Sequence, residues 1–436
     1  MYLHRLPLVI LVFLIVSYPS DRSFGQLQGN NPATPQIETP ANPADAVQEE
    51  IVSPEAASQP ESPNAEAALP DEQNLSHHIQ SERQDATILL GELRRAVRAS
   101  PQNAENRLKL SQALYEIGDL DAAADEARTA AKLDPSDAKI QLHLGVILMT
   151  KQDWRAAASV LKEATRLDPA LTQAHYNLGS VQYSHGDAKA AMESYRRALE
   201  LQPHFPDATY RLGLLLKLNG QQQEAARLME EAAIEGVPQA QYFLGNAFKN
   251  GQGVEKNLGQ AVLWWTRAAG FGHQPAAEAL AKVRRQALSS KQPERARKEA
   301  LEAFHFYRDK LWEEFPDYQR SEDDGTLGVR LLHDNRPDYA LPVLLQEGYA
   351  LSEEAQQYLA RLYESGWDEH LSPFDRSILQ CLETTASDGF MPAKRLLARI
   401  YGRGLGVEQS MQKAKSILKG LPRQEIKSIL TDLESS

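Results

Sequence analysis

Leu110, Leu144, Leu178 and Leu212 stand 34 residues apart, and a small residue follows each: Ser111, Gly145, Gly179 and Gly213. Ala123, Ala157, Ala191 and Ala225 recur in step, as do Ala130, Ala164, Ala198 and Ala232. A fixed period of this length makes each unit one supersecondary element that buries its apolar face against its neighbours. Alanine, leucine and other helix formers dominate from residue 86 and runs of β-branched residues vanish, so the unit is helical. Pro101 and Ala96 fit one period earlier, which places a degenerate unit ahead of the first regular one.

Each recurring position has a physical reason. The glycines at 145, 179 and 213 and the alanines at 157, 191 and 225 let two antiparallel helices approach closely. Leu144 and Leu178 fill the space between them. Gly118-Asp119 and Gly186-Asp187 sit where a short turn reverses the chain, and glycine tolerates the positive φ such a turn needs. Pro135, Pro169 and Pro203 stop the second helix of their units.

The third unit runs from Ala174-His175-Tyr176-Asn177-Leu178-Gly179 to Ala198-Leu199-Glu200-Leu201-Gln202-Pro203. It resembles the tetratricopeptide repeat, and four such units cover residues 104–239. A second pattern follows: Leu244-Gly245, Phe248, Gly251, Gly253-Val254, Ala261, Trp265 and Ala268-Ala269. Its spacings return as Leu397-Ala398, Tyr401, Gly404, Gly406-Val407 and Ala414. A middle copy, Leu359-Ala360, Tyr363 and Gly366, lacks the Gly-Val turn, and Leu327-Gly328 with Ala340 suggests a worn copy. This pattern resembles the Sel1-like repeat, a longer-looped relative of the tetratricopeptide helix pair. Asn257 stands where that family often carries Asp.

The fold expected is therefore all-α, a right-handed solenoid of antiparallel helix pairs, the handedness following from the resemblance. Residues 86–285 hold tetratricopeptide repeats and one Sel1-like repeat, 286–324 connect, and 325–431 hold further Sel1-like repeats. In the connection, Ala300, Leu301, Phe304, Leu311 and Phe315 can share a helix face after Pro293 and before Pro316. Sequence leaves open a hinge between two blocks or a long helix laid across both.

The N-terminus reads as an address. Arg5 precedes the apolar run 6–16, which has signal-peptide length and is short for a membrane span. Ser23 and Gly25 offer small residues before a cleavage point at Gln26, so 1–25 is expected to be a signal peptide. Residues 26–85 are rich in Pro, Ala, Gln and Ser and carry eleven Asp/Glu against Arg83 alone. Such a stretch buries too little apolar surface to offset its ordering entropy and is expected to be a disordered acidic linker. It accounts for most of the chain's net charge of −12. The remaining body is near neutral, which gives no electrostatic reason to expect nucleic acid. The expected location is exported, most simply the bacterial periplasm. Secretion, or a membrane anchor if the leader stays uncleaved, are the alternatives.

Chemistry-bearing motifs are sparse. Gly251-Gln252-Gly253 and Gly402-Arg403-Gly404 resemble a phosphate cradle only superficially, since helices flank them and they recur with the repeat. Cys381 is the one cysteine, which excludes an intramolecular disulfide and a Cys-pair zinc site. Its context, Ile378-Leu379-Gln380-Cys381-Leu382, reads as core. His77-His78 has no companions to complete a metal site. Trp264 and Trp265 fit core positions. Glu313, Glu314 and Asp317 near Trp312 are the carboxylates a hidden glycan-directed enzyme would use. The reading is no enzyme, no cofactor and no metal.

In the tetratricopeptide family, the first helices line a concave groove. The matching positions here are Leu142, His143 and Met149, then Tyr176, Asn177, Ser180 and Tyr183, then Tyr210, Arg211, Leu214 and Lys217, with Tyr115 in front. Some relatives clamp a peptide carboxylate in this groove. Asn177 and Arg211 match two clamp positions, but Leu142 and Tyr176 stand where lysines belong and Val146 replaces an asparagine. A tyrosine-rich groove for a partner helix or extended segment fits better. The alternative is that these tyrosines pack between repeats. The function expected is a protein–protein interaction scaffold whose partner the sequence does not identify. By fold analogy, an envelope-enzyme regulator or a subunit of polysaccharide-export or pilus machinery is the alternative.

Overall fold

The computed structural model describes residues 87–318, 325–368 and 370–435. The expected signal peptide and acidic linker, and the His77-His78 pair, lie outside these residues. The chain divides into one unit up to Ala96 and another over Val97–Ser436. Residues 87–99 are helical (α1).

Four helix pairs follow: α2 (Ala104–Glu116) with α3 (Leu120–Leu133), α4 (Ala138–Thr150) with α5 (Trp154–Leu167), α6 (Thr172–Ser184) with α7 (Ala188–Leu201), and α8 (Pro206–Leu218) with α9 (Gln222–Ile234). Their turns are short and alike. Gly118, Gln152, Gly186 and Gly220 all have positive φ. Asp119, Asp153 and Asp187 then cap the second helix, each carboxylate accepting the N–H three residues on, from Ala122, Ala156 and Ala190. Within the second, third and fourth pairs the glycine of the first helix lies under a large residue of the second. A Cβ on Gly145 would come within 2.6 Å of Leu161, and one on Gly179 within 2.8 Å of the Tyr195 ring. Ser111 takes the glycine position in the first pair, where its hydroxyl donates to the Ala123 carbonyl across the pair at 2.7 Å.

In α10 (Pro238–Asn250) and α11 (Leu258–Gly270) the turn lengthens. Gly251 and Gly253 take positive φ, and the Asn257 N–H closes the loop on the Phe248 carbonyl at 2.8 Å. The same closure recurs from Ser410 to Tyr401 between α18 (Met391–Arg403) and α19 (Met411–Ile417). Between α16 (Glu353–Ser365) and α17 (Arg376–Ser387), Phe374 donates to Tyr363, so the middle copy keeps the closure with a longer loop. Asn257 caps α11, its side chain accepting from the Gln260 N–H.

The pair α14 (Leu327–His333) and α15 (Pro337–Tyr349) differs from the worn long-turn copy suggested by sequence. Its turn is short, Asn335 has a φ of 52°, and Gly328 faces Leu344 at tetratricopeptide spacing. It exits as the long-turn pairs do, through a positive-φ residue, here Leu351, where they use Gly272 and Gly389.

The connecting segment is no hinge. α12 (Gln274–Leu288) and α13 (Glu294–Glu313) form a hairpin, and Ala300, Ala303, Phe304, Tyr307 and Leu311 belong to one core that runs from Ala261 to Tyr401. Leu301 and Phe315, expected on the same face, pack against that core only in part. The chain ends with α20 (Arg423–Glu434), against which Gly402 of α18 packs through Leu433.

Candidate functional site

The first helices α2, α4, α6 and α8 carry the residues expected to line a groove. Among the twelve positions named for the groove, none is fully exposed, and Met149 and Asn177 are buried. Several spend their polar atoms on the next repeat. The Tyr115 hydroxyl pairs with the Thr150 hydroxyl at 3.0 Å, and its ring meets His143 edge-on. His143 pairs with the Ser111 hydroxyl, and burial lowers its pKa. Tyr176 accepts from Nε of Arg211 at 3.0 Å, while its ring lies against Tyr195 and Phe205. Ser180 donates to the Tyr176 carbonyl and accepts from the Tyr195 hydroxyl. Burial pushes Tyr195 to about 12, so it stays a neutral donor.

The Tyr115–Thr150, Ser111–His143 and Tyr176–Arg211 bonds join successive repeats, as the inter-repeat alternative requires for Tyr115 and Tyr176, whereas those of Ser180 stay within one repeat. Other groups on the same row remain open. Tyr183 is half-buried and its hydroxyl makes no hydrogen bond among the described residues; burial raises its pKa. Asn177 accepts from Gln173 at 3.3 Å, but its Nδ2 is buried without a partner. No carboxylate among the described residues pairs with Arg211, which sits over the Tyr176 ring. Lys217 lies over the Phe243 ring of the next pair at 4.5 Å, and Tyr210 packs with the cluster formed by α9, α10 and α11. Tyr195 and Phe205 are the aromatic neighbours that sequence reasoning missed. Tyr195 stands beneath Gly179, so the close-approach rule that explained the glycine also pointed to the residue opposite it.

The other candidates resolve as follows. Trp265 is 1% exposed and lies under Gly245, and Trp264 is buried with Arg267 over its ring. Cys381 is buried, and burial pushes its thiol up to about 12, which makes it a poor nucleophile. Glu313 and Glu314 are each engaged by a cation, Lys310 and Arg267, on exposed surface, so they do not face each other across a cleft. Among the described residues no group of three His, Cys, Asp or Glu could hold a metal, and no helix is long and apolar enough to cross a membrane.

Comparison with known proteins agrees with this architecture. The tetratricopeptide repeat profile matches residues 90–138, 142–204 and 176–241, and the Sel1 repeat profile matches 238–270 and 392–419. DAP3-binding cell death enhancer 1 of Rattus norvegicus is 37% identical over 59 residues, 14% of this chain and 12% of that protein. The protein of the same name from Mus musculus matches equally, so the chain spans about an eighth of these relatives. Among solved structures, MamA is 26% identical with a TM-score of 0.33, covering 35% of this chain and 90% of that one. YrrB, described as a tetratricopeptide protein with an unusual peptide-binding site, is 22% identical with a TM-score of 0.36, covering 43% and 96%. A Sel1 repeat protein from Oxalobacter formigenes is 18% identical with a TM-score of 0.34, covering 80% and 93%.

Proposed function

We propose, from a chain that carries tetratricopeptide repeats followed by Sel1 repeats, an exported, non-enzymatic scaffold that holds a partner peptide or helix along α4, α6 and α8. Both repeat types are protein-interaction modules, typically without catalysis. The observation that carries the reading is the row of open groups on α6 and α8. Among the described residues the Tyr183 hydroxyl makes no hydrogen bond and Arg211 pairs with no carboxylate, whereas the unpartnered Nδ2 of Asn177 is buried and is not part of the open row. An apolar ring with an open hydroxyl beside unspent donors suits a peptide that brings both apolar side chains and acceptors. Tyr115 and Tyr176 set the spacing of the row, and the partner meets Tyr183 first.

The leader supports export, and a bacterial periplasm is the compartment we assign. The test is a photo-crosslinking residue placed in living cells at 183 or, on the second helix, at exposed Lys189. A partner captured from 183 and not from 189 supports the groove. Equal capture, or capture from 189 alone, would move the contact to the other face. Sequencing the N-terminus of the recovered protein reads the compartment: a start at Gln26 supports export, and a start at Met1 in a cytosolic fraction overturns it.

A further inference from the structure

A cavity of about 760 Å³ opens among α11, α12, α13, α15 and α17. That volume is in the range of small-molecule sites. Leu263, Leu280, Phe304, Tyr307, Leu345 and Tyr349 are among the residues that line it. Phe271 also lines it, an apolar ring with 66% of its surface exposed among the described residues.

The charge inside is uneven. Arg284 lines the cavity and is only 4% exposed. Its Nε donates to Oδ2 of Asp388 at 2.6 Å. The other carboxylate oxygen lies 3.6 Å from the guanidinium of Arg285. One buried carboxylate thus faces two guanidiniums. The two terminal nitrogens of Arg284 make no hydrogen bond among the described residues. With Nε spent on Asp388, the terminal nitrogens of this cavity-lining guanidinium can take a further acceptor, and an anion satisfies them best. At the other end of the wall, the Tyr307 hydroxyl is already spent on Gln346, and the outer pair Arg267–Glu314 is neutral.

We propose that this cavity binds an amphipathic carboxylate of the fatty-acid class, its chain against Leu263, Leu280, Phe304 and Leu345 and its carboxylate on Arg284. A peptide fits less well. The walls are helix faces whose backbone groups are spent in their own helices, so a peptide backbone would be buried without partners. An acyl chain asks for none. Phe271, lining the cavity and largely exposed, extends the apolar path into solvent. This inference goes beyond the groove on α4, α6 and α8 and stands apart from it.

The test is calorimetry on the full chain with decanoate, decanol and decyltrimethylammonium, all below their micelle concentrations. Decanoate is expected to bind once per chain, about tenfold or more tighter than decanol, with the ammonium weakest. Gly270→Trp puts a large side chain at the mouth, where an added Cβ meets nothing within 4 Å, so the variant should fold and lose decanoate about tenfold or more. The pair Arg284→Gln with Asp388→Asn removes both buried charges together and should bring decanoate and decanol to equal affinity. Undetectable decanoate binding, or binding unchanged by Gly270→Trp, overturns the site. Equal binding of decanoate and decanol to the unaltered chain overturns the carboxylate assignment.

Discussion

The short-turn and long-turn halves of this molecule solve the same packing problem with different partners. In the first half a glycine faces a side chain sixteen residues on: Gly145 faces Leu161, Gly179 faces Tyr195 and Gly213 faces Met229. In α10 and α11 the same glycine, Gly245, faces Trp265, twenty residues on. Four added residues lengthen the turn and bring a larger ring into the pair. The interiors diverge with it. In the short-turn half the buried clusters are small and nearly all apolar, and the polar bonds run between repeats along one face. In the long-turn half, α13 packs into an apolar core that runs from Ala261 to Tyr401, and charged residues are buried in the same half. The comparison teaches that a chain of local contacts becomes a braced body once a single helix crosses it, and that such a body can bury Arg284, Asp388 and Glu347.

The largest expected effect tests that difference in charge. Asp388→Ala leaves Arg284 buried without its partner and should destabilise the long-turn half by about 3–5 kcal/mol. Replacing both, Arg284→Met with Asp388→Leu, should recover most of the loss. Urea unfolding with hydrogen exchange on α12 and α17 reads both. If Asp388→Ala costs no more than an exposed substitution, the body is not braced through this pair.

A second test uses pH. Glu347 is 1% exposed and accepts the N–H groups of Leu327 and Gly328 at 2.9 and 3.0 Å, so it holds the start of α14. Burial pushes its carboxyl up to about 7, against the lowering effect of those N–H bonds and of Arg308. The folded chain therefore holds a proton that the unfolded chain releases at ordinary carboxylate pH. Stability should fall as pH rises from about 4.5 to about 7 and level off above, by about 3 kcal/mol at most. Glu347→Gln cannot titrate, so its urea midpoint should lack that part of the slope. Identical slopes for the two proteins between pH 5 and 8 would remove Glu347 from the account.

The glycines give a graded series across both halves. Gly245→Ala would set a Cβ 2.5 Å from the indole of Trp265, and Gly179→Ala one 2.8 Å from the Tyr195 ring. Gly213→Ala meets the flexible end of Met229 at 3.1 Å, with Leu228 and the Ala225 carbonyl at ordinary contact distances of 3.4 and 3.5 Å. Overpacking of this kind costs about 1–3 kcal/mol, so Gly245→Ala should lie near the top and Gly213→Ala below the bottom of that range. A flat series, read as denaturation midpoints, would mean the rings opposite move aside freely.

What sequence could reveal follows from what repeats. Leu144, Gly145 and their counterparts recur because each pair must close in the same way, and periodic constraint is visible in a single chain. The crossing of α13 was not, because Ala300, Phe304 and Tyr307 bury against residues from Leu263 to Gln346 that share no period with them. The fate of the tyrosines was half legible. Position in the repeat placed Tyr115, Tyr176 and Tyr183 on first helices, but whether each hydroxyl is spent depends on what stands one repeat later. Thr150 takes up Tyr115 and Arg211 takes up Tyr176, while Tyr183 meets no such residue.

The smallest predicted effect asks whether one turn geometry is shared by both halves. Gly118, Gly186 and Gly220 hold φ near +80° at the turn of their pairs, and Gln152 occupies the equivalent position with φ +60°. Holding a side chain there costs about 1–2 kcal/mol, and glycine returns part of that through its unfolded-state entropy. Gln152 is exposed and its side chain makes no hydrogen bond among the described residues, so nothing else is lost. Gln152→Gly should therefore stabilise the chain by about 0.5–1 kcal/mol. Asn335 fills the same place between α14 and α15, with φ +52°. Asparagine tolerates this region better than glutamine, so Asn335→Gly should gain only a few tenths of a kcal/mol. Gains in that order, read as urea midpoints, would make α14 and α15 a short-turn pair set among long-turn neighbours. A loss at Asn335 with a gain at Gln152 would separate the two turns, and with them the two halves.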